Sequence, residues 1–151
     1  MKNILKILIV VLAVGAVIFV LPRKPNSNTG NQGNSTSTLP QTEVNLGPVV
    51  VVLPLDNTII KSPVIIRGRA QGTFFFEASF PIRIIDANGN VLGAYHAQAD
   101  SDWMTTDFVP FHASIEFSAP STDTGFIVFK NDNPSGLPEK DQAVKLPVKF
   151  K

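Results

Sequence analysis

The chain has 151 residues, of which 44% are hydrophobic, and it contains no cysteine. It therefore has no disulfide framework, thiolate metal site, cysteine nucleophile or cysteine-linked lipid. Its formal net charge of +1 is unevenly distributed, because residues 1–48 carry four basic side chains against one acidic and residues 49–151 carry nine against eleven. The larger part is mildly acidic, which argues against a nucleic-acid partner, since such a partner requires a basic surface.

The first predicted element is an apolar segment at residues 4–21, interrupted only by Lys6. As a helix this segment would reach ~27 Å, close to the ~30 Å hydrocarbon core of a bilayer. A cleaved signal peptide is the alternative, but no small-residue cleavage site follows the segment. We therefore predict that residues 1–21 form a membrane anchor (or a signal sequence) and that the protein contacts the membrane through residues 4–21.

Orientation and tethering follow from the flanks of this segment. The basic side chains and the α-amine at its start favour a single-pass orientation with the C-terminal domain outside the cytoplasm. The alternative is secretion after signal cleavage. Residues 22–48 are rich in Asn, Ser, Thr, Gly and Pro and poor in apolar side chains. Such a composition is typical of a disordered linker.

From residue 49 the hydrophobic period changes to two, which predicts β-strands. Seven strands are predicted, near 49–53, 64–70, 80–85, 91–99, 111–117, 125–131 and 144–150. Asn88-Gly89 predicts a hairpin turn, because Gly adopts positive φ at little cost. Pro147 lacks an N–H and so places the last strand at an edge. The predicted fold class is all-β, an antiparallel immunoglobulin-like β-sandwich of about seven strands at 49–151.

The order and spacing of several motifs identify a known family. They include Pro54, Ser62–Ala70, Phe76-Glu77-Ala78, Ile84–Gly89, Phe117, Asn133–Gly136 and Val144–Val148. In these motifs residues 50–150 resemble the immunoglobulin-like domain of bacterial spore germination. The resemblance implies a β-sandwich outside the membrane that binds another molecule and has no known catalytic site. The germination-type domain that often precedes it is not recognisable in this chain, so a sporulation role does not follow.

A candidate binding site follows from the predicted strand order. The loops 71–79, 99–107 and 131–140 should share one end of the sandwich, which we call the loop end. Aromatic side chains and carboxylates meet there, as they do in binding hot spots. The residues predicted to contact a partner are Phe75, Glu77, Asp100, Asp102, Trp103 and Asp132. The alternative is that Phe76 and Trp103 cap the core and that the acids are solvated loop residues.

Calcium binding is a further alternative at two places. Asp100 and Asp102 are two residues apart, with Asp132 predicted nearby, and residues 86–90 alternate acid and amide side chains. Calcium requires six or more oxygen ligands, and no twelve-residue EF-hand loop is present. Residues 86–90 are better interpreted as the hairpin turn. The sequence therefore predicts no metal site and no cofactor.

Catalysis is not indicated either. The two histidines, His96 and His112, lie on predicted strands without an acid and a nucleophile at catalytic spacing. Three arginines are predicted to form a small basic stripe on the sheet: Arg67, Arg69 and Arg83. This stripe suits pairing with Glu116 across strands better than an anion site.

Together these features predict a non-enzymatic, membrane-anchored, extracytoplasmic interaction or adhesion module of a bacterial cell envelope. Its partner would be an unknown envelope protein or glycan, and no nucleic acid. The alternative is a carbohydrate- or calcium-binding accessory domain that acts with an enzyme in trans.

Overall fold

A computed structural model describes residues 42–151, so the predicted anchor at 4–21 lies outside the described residues, as does most of the predicted linker. Within residues 42–151, no helix is long and apolar enough to cross a membrane. This part of the chain forms strands and two short 3₁₀ turns, Gly72–Phe74 and Pro138–Lys140. The strands are β1 (Val44–Asn45), β2 (Val49–Leu53), β3 (Val64–Gln71), β4 (Ser79–Asp86), β5 (Val91–Ala99), β6 (Phe108–Ile115), β7 (Thr124–Lys130) and β8 (Ala143–Lys149).

The eight strands pair antiparallel in the order β1-β2-β3-β6-β5-β4-β7-β8. Only two residue pairs, Gln98 with His112 and Ala99 with Phe111, join β5 to β6. Phe111 of β6 nevertheless packs edge-on against Phe80 of β4 at 5.0 Å and Phe129 of β7 at 6.1 Å. Because β4 and β7 are not neighbours of β6 in the sheet, the sheet must fold over on itself. The result is a β-sandwich with the layers β1-β2-β3-β6 and β5-β4-β7-β8.

The core lies between the two layers and follows from the alternation along each strand. In β6, for example, every second residue from Val109 to Ile115 is buried and the residues between them are exposed. Such alternation places one side of each strand in the core. The largest fully buried side chains are Phe74, Phe80, Phe111, Phe129, Ile66, Ile82, Ile84, Ile115, Ile127 and Leu146. These side chains pack into one hydrophobic cluster.

The predicted all-β, antiparallel, immunoglobulin-like fold is confirmed, with two differences in its strands. β6 begins at Phe108 and ends at Ile115, earlier than the predicted 111–117. An eighth strand, β1, was not predicted; it lies within the segment interpreted as linker and pairs with β2 through Val44 and Val51. A two-residue strand carries too little alternation to be recognised from sequence.

β1 is held by an ion pair as well as by its strand partner. Both terminal nitrogens of Arg69 donate to the Glu43 carboxylate, at 2.8 and 3.0 Å. The Arg69 hydrogen bonds lower the pKa of Glu43, and the pKa of Arg69 is raised by the same contact. Arg69 therefore does not pair with Glu116 as predicted. Arg83 lies in the other layer, so the three arginines do not form one stripe.

The last strand is an edge, as Pro147 predicted, and it is partly covered. The N–H of Asn57 donates to the Pro147 carbonyl at 2.8 Å, and the N–H of Ile60 donates to the Lys149 carbonyl at 2.9 Å. The Lys149 N–H donates in turn to the Thr58 carbonyl at 2.9 Å. Edge groups that already have hydrogen-bond partners cannot pair with a strand of another chain. Residues 57–60 therefore limit association through β8.

Candidate functional site

The three predicted loops meet at one end of the sandwich. In the strand registers Gln71 faces Phe108, Ser79 faces Gln98 and Lys130 faces Ala143. The loops that follow β3, β5 and β7 therefore start and finish at the same end. The structure thus has the three loops at one end of the sandwich, as the predicted strand order required.

Backbone hydrogen bonds tie these loops to one another. The N–H of Gly72 donates to the Asp107 carbonyl, and the N–H of Asp132 donates to the Phe74 carbonyl, each at 2.9 Å. The approach at Gly72 is so close that a Cβ there would lie 1.9 Å from the Thr105 carbonyl oxygen. Only Gly permits this packing. The loop end is therefore one connected unit.

The three consecutive phenylalanines of the first loop have different roles. Phe74 and Phe75 are buried, at 1% and 4% exposure, and both rings pack edge-on against Phe80. Phe76 is 39% exposed. Phe75, which was predicted to contact a partner, is instead part of the core. Phe76 is the surface aromatic of this loop.

Glu77 lies at the tip of a tight turn that the sequence did not indicate. Phe76 and Ser79 exchange two backbone hydrogen bonds, at 2.9 and 3.0 Å, and the residues between them have positive φ, 49° for Glu77 and 61° for Ala78. Such a two-residue turn normally uses Asn or Gly, because a Cβ makes the left-handed conformation costly. Strain of this kind is concentrated at functional sites.

The predicted acids of the loop end have separate partners. Asp100 Oδ1 contacts His112 Nδ1 at 2.5 Å, and Asp102 Oδ1 accepts the Met104 N–H at 3.1 Å. Asp132 is half-buried and contacts the first loop through its backbone. Among residues 42–151, no group of three His, Asp or Glu side chains is placed to hold a metal ion. The structure brings these acids to one end but not into one ligand set.

The remaining predicted residue, Trp103, packs half-buried against the core cluster. Its ring therefore contributes to capping the core. Sequence reasoning missed two exposed apolar side chains of the same end, Met104 at 76% and Leu137 at 44% exposure. With Phe76, each of the three loops carries one exposed apolar side chain. Burial depends on tertiary packing, so no local signal distinguished Phe76 from Phe75.

The third loop forms a polar groove of about 440 Å³. It is lined by Thr73, Asn131, Asp132, Asn133, Pro134, Ser135, Glu139, Lys140 and Gln142. Asn133 Nδ2 donates to the Leu137 carbonyl and to Asp141 Oδ1, both at 2.9 Å. The Asn133 contact and then the Lys130 ion pair lower the pKa of Asp141. These bonds hold the loop in shape, together with hydrogen bonds made by the side chains of Asn131 and Ser135. The side chains of the groove that are exposed to solvent without a hydrogen bond of this kind are Thr73, Glu139, Lys140 and Gln142.

Residues 86–90, the second place considered for calcium, form a turn that is held by hydrogen bonds to Asp86. Asp86 is 1% exposed, and its carboxylate accepts four hydrogen bonds, from the Ser121 hydroxyl (2.6 Å), the Asn90 amide side chain (2.9 Å) and the N–H groups of Asn88 and Asn90 (3.0 and 2.8 Å). The Ser121 and Asn90 contacts lower the pKa of Asp86. Gly89 has the positive φ, 86°, that the turn requires. Residues 86–90 form the predicted hairpin turn.

Both histidines are exposed on the sheet surface, and His96 lines an open depression of about 250 Å³ together with Arg83 and Tyr95. The pair of His112 and Asp100 was not predicted; both side chains are about half exposed, and His112 faces Arg67 across the β3–β6 register. His96 lies on β5 opposite Pro81. In the Ser-His-Asp arrangement a His oriented by an Asp activates a serine nucleophile beside an oxyanion hole. The position of His112 on an open face fits a polar contact of the sheet surface.

Comparison with known proteins identifies a matching family. A family model described as the immunoglobulin-like domain of bacterial spore germination matches residues 48–137, which is more than half of the chain. The matched segment includes β2 to β7 and two of the three loops of the loop end completely. The resemblance recognised from the sequence motifs is thus confirmed over this segment. No curated protein and no solved structure shows significant similarity.

Proposed function

We propose that this chain, which belongs to the immunoglobulin-like domain family of bacterial spore germination, is an interaction module that binds through its loop end. Members of this family are generally non-enzymatic. We further propose that the module is membrane-anchored and extracytoplasmic. The observation that carries this proposal is the set of three exposed apolar side chains, Phe76, Met104 and Leu137, one on each loop. Aromatic side chains and Met are enriched where proteins bind one another.

Charge supports the same surface and describes its partner. Six carboxylates lie in the loops 71–79, 99–107 and 131–140, against a single Lys140. Charges around apolar anchors act mainly on association rate and partner choice. The partner we propose is a component of the cell envelope with cationic groups beside an apolar surface. The turn that presents Glu77 at positive φ fits this role.

Site-specific photo-crosslinking in cells tests the loop end. A photoreactive phenylalanine analogue replaces Met104 in one strain and the exposed Ile65 of β3 in another as the control. We expect a crosslinked product from position 104 and none from position 65. The product should be lost when Glu77→Lys and Asp102→Lys reverse the local charge. Equal crosslinking from both positions, or no effect of charge reversal, would contradict the proposal.

Location is tested separately with a reporter enzyme that is active only outside the cytoplasm, fused after Lys151. Activity of this fusion, together with recovery of the full-length chain in the membrane fraction, is the expected result. A protein that is released without residues 1–21 would support the secreted alternative. An inactive reporter would refute extracytoplasmic location whatever the crosslinking shows.

A second candidate function is carbohydrate binding in support of an enzyme in trans. The polar groove favours it, because its amide, hydroxyl and carboxylate groups suit the hydroxyls of a sugar. Titration with soluble peptidoglycan fragments, followed by NMR, should then shift groove resonances in the native protein but not in Thr73→Ala/Gln142→Ala. Ser114→Ala on the sheet surface is the matched control. The calcium form of this alternative has no assembled ligand set among residues 42–151.

A further inference from the structure

The outer face of the layer β5-β4-β7-β8 carries basic side chains. The strand register places Ala94, Arg83, Val128 and Lys145 in one row across the four strands. Side chains at directly paired positions point to the same side of a sheet. The cationic residues on this side are Arg83, Lys130, Lys145 and Lys149, and His96 lies on the same side. None of the residues that these four strands turn outward is Asp or Glu. We call this surface the basic face.

Most of this charge is uncompensated. Lys130 pairs with Asp141 at 2.9 Å. Within residues 42–151, no carboxylate lies at ion-pair distance from Arg83, Lys145 or Lys149. On the outer face of the other layer Arg69 pairs with Glu43, and Arg67 has no ion pair among residues 42–151. The basic face therefore presents three free positive charges on a domain whose overall charge is slightly negative.

Apolar side chains lie beneath these cations. Five half-buried residues form the centre of the face: Pro81, Ile85, Phe126, Val128 and Pro147. The Lys145 amine lies 5.7 Å from the centroid of the Phe126 ring, so the aliphatic part of Lys145 runs along this apolar surface. Long cationic side chains that cover apolar surface and extend their charge outward are typical of membrane interfaces.

We propose that the basic face rests on the anionic phospholipid headgroups of the bilayer in which residues 4–21 are anchored. This inference rests on the anchoring put forward under the proposed function. Headgroup phosphates would meet Arg83, Lys145 and Lys149, and the interfacial region would meet the apolar centre. The loop end lies at the end of the strands rather than on this face, so it stays accessible while the face is docked.

Two other anionic partners fit the face less well. A nucleic acid offers phosphates but no apolar counterpart for residues such as Phe126 and Ile85. The acidic loop end of a second copy offers both, but a contact between an end and a face is heterologous and would join copies into rings or open chains. An anionic bilayer combines the required charge and apolar character, and the tether keeps it beside the domain.

Because the proposed anchoring already holds the domain near the bilayer, weak binding of the basic face to lipid is sufficient. Each Lys or Arg near an anionic membrane surface strengthens association about fivefold, so three free cations contribute roughly a hundredfold. That is weak for a free domain. If the chain is anchored as proposed, docking is intramolecular, and intramolecular binding can gain an effective concentration on the order of millimolar. Docking should therefore depend on anionic lipid and on salt.

The test uses the full chain in lipid nanodiscs. Since the chain contains no cysteine, a single Cys can carry a fluorophore: Ala143→Cys on the basic face, or Ile65→Cys on the outer face of the other layer as the control. Discs consist of phosphatidylcholine alone or of a mixture rich in phosphatidylglycerol. Both contain a lipid whose headgroup carries a spin label that quenches the fluorophore.

We expect stronger quenching at position 143 than at position 65, in anionic discs only. It should weaken as salt reduces the Debye length from about 10 Å at 0.1 M to about 3 Å at 1 M. Arg83→Gln/Lys145→Gln/Lys149→Gln should weaken docking roughly a hundredfold. Lys61→Gln/Arg67→Gln/Lys140→Gln removes the same charge outside the face and should leave quenching unchanged.

Three results would overturn the inference: equal quenching at both positions, quenching that does not depend on phosphatidylglycerol, or equal effects of the two triple variants. Label self-quenching at position 143 without lipid quenching would assign the face to contact between copies instead. Recovery of the chain with the discs is measured first. A chain that does not insert contradicts the proposed anchoring, whereas a chain that inserts without docking contradicts this inference alone.

Discussion

Replacing Phe80 by Ala should lower the free energy of unfolding by about 4–5 kcal/mol. The Phe80 ring is fully buried and lies edge-on to Phe74 at 5.7 Å and to Phe75 and Phe111 at 5.0 Å each. Truncating a buried Phe to Ala costs about 3–5 kcal/mol, and each aromatic pair adds about 0.5–1.5 kcal/mol beyond its buried area. Three such pairs place Phe80 at the upper end of that range.

This loss is large for a domain of this size. Native domains are stable by about 5–15 kcal/mol, and 1 kcal/mol shifts the Tm of a small domain by about 4–8 °C. We therefore expect Phe80→Ala to lower the Tm by at least about 15 °C. Because Phe74 and Phe75 belong to the loop end, the same variant should also reduce the crosslink from Met104.

The assay is denaturant unfolding followed by fluorescence. Trp103 is the only Trp of the chain and packs against the core, so its emission reports unfolding of the sandwich even in the full-length protein. Phe76→Ala, in the loop that precedes β4 and at a side chain that is 39% exposed, is the control and should cost less than about 1 kcal/mol. An equal loss of unfolding free energy in Phe80→Ala and Phe76→Ala would refute the central role given to Phe80 in the core.

Three further predictions concern the turns and loops. Gly72→Ala should cost about 1–3 kcal/mol in denaturant unfolding, because its Cβ would collide with a backbone carbonyl of the neighbouring loop. Ala78→Gly should stabilise the domain by about 0.5–1 kcal/mol, because Gly adopts the positive φ of this position without strain. The control Ala94→Gly, in a strand, should destabilise the domain. Destabilisation by both substitutions would contradict the strain at the turn. Asp86 has a lowered pKa when folded, so its contribution to stability is present above its ordinary value of 3.8 and is lost as pH falls through the folded pKa. In Asp86→Asn the Tm should fall less steeply below about pH 5 than in the control Asp123→Asn. The same fall in both variants would contradict the role given to the Asp86 hydrogen bonds.

The charge of this domain is divided between two surfaces. The loop end is acidic with apolar anchors, and the basic face is cationic with an apolar centre. A net charge summed over residues 49–151 is slightly negative and hides both. Whole-domain charge argued against nucleic acid, but it could not indicate that one sheet face is basic, because strands distant in the sequence contribute to that face.

The strands could be predicted because each carries its own signal. The alternation in β3, β4 and β8 states which side is buried, whatever the strand packs against. Turn chemistry marks where strands end, as at Asn88-Gly89. β1 escaped prediction because two residues contain no period. Its stability comes from pairing with β2 and from the contact between Glu43 and Arg69, which are 26 residues apart.

The candidate site was predicted less completely than the fold. The strand order was enough to bring the three loops to one end. It did not indicate that Phe75 would turn into the core and Phe76 outward, because the 3₁₀ turn Gly72–Phe74 interrupts the strand alternation there. The contact between His112 and Asp100, and the turn that presents Glu77, also depend on packing between strands rather than on local sequence.

The amino-acid sequence alone therefore determined the fold class, the strand alternation, the edge position of Pro147 and the family, since these depend on properties local to each strand. Only the tertiary structure decided which side chains form the surfaces. Phe76, Met104 and Leu137 came to lie on loops at one end, and Arg83, Lys145 and Lys149 came to lie on one face, through strand pairing between distant segments. Pairing across long sequence separations sets these neighbourhoods, and no local pattern encodes it.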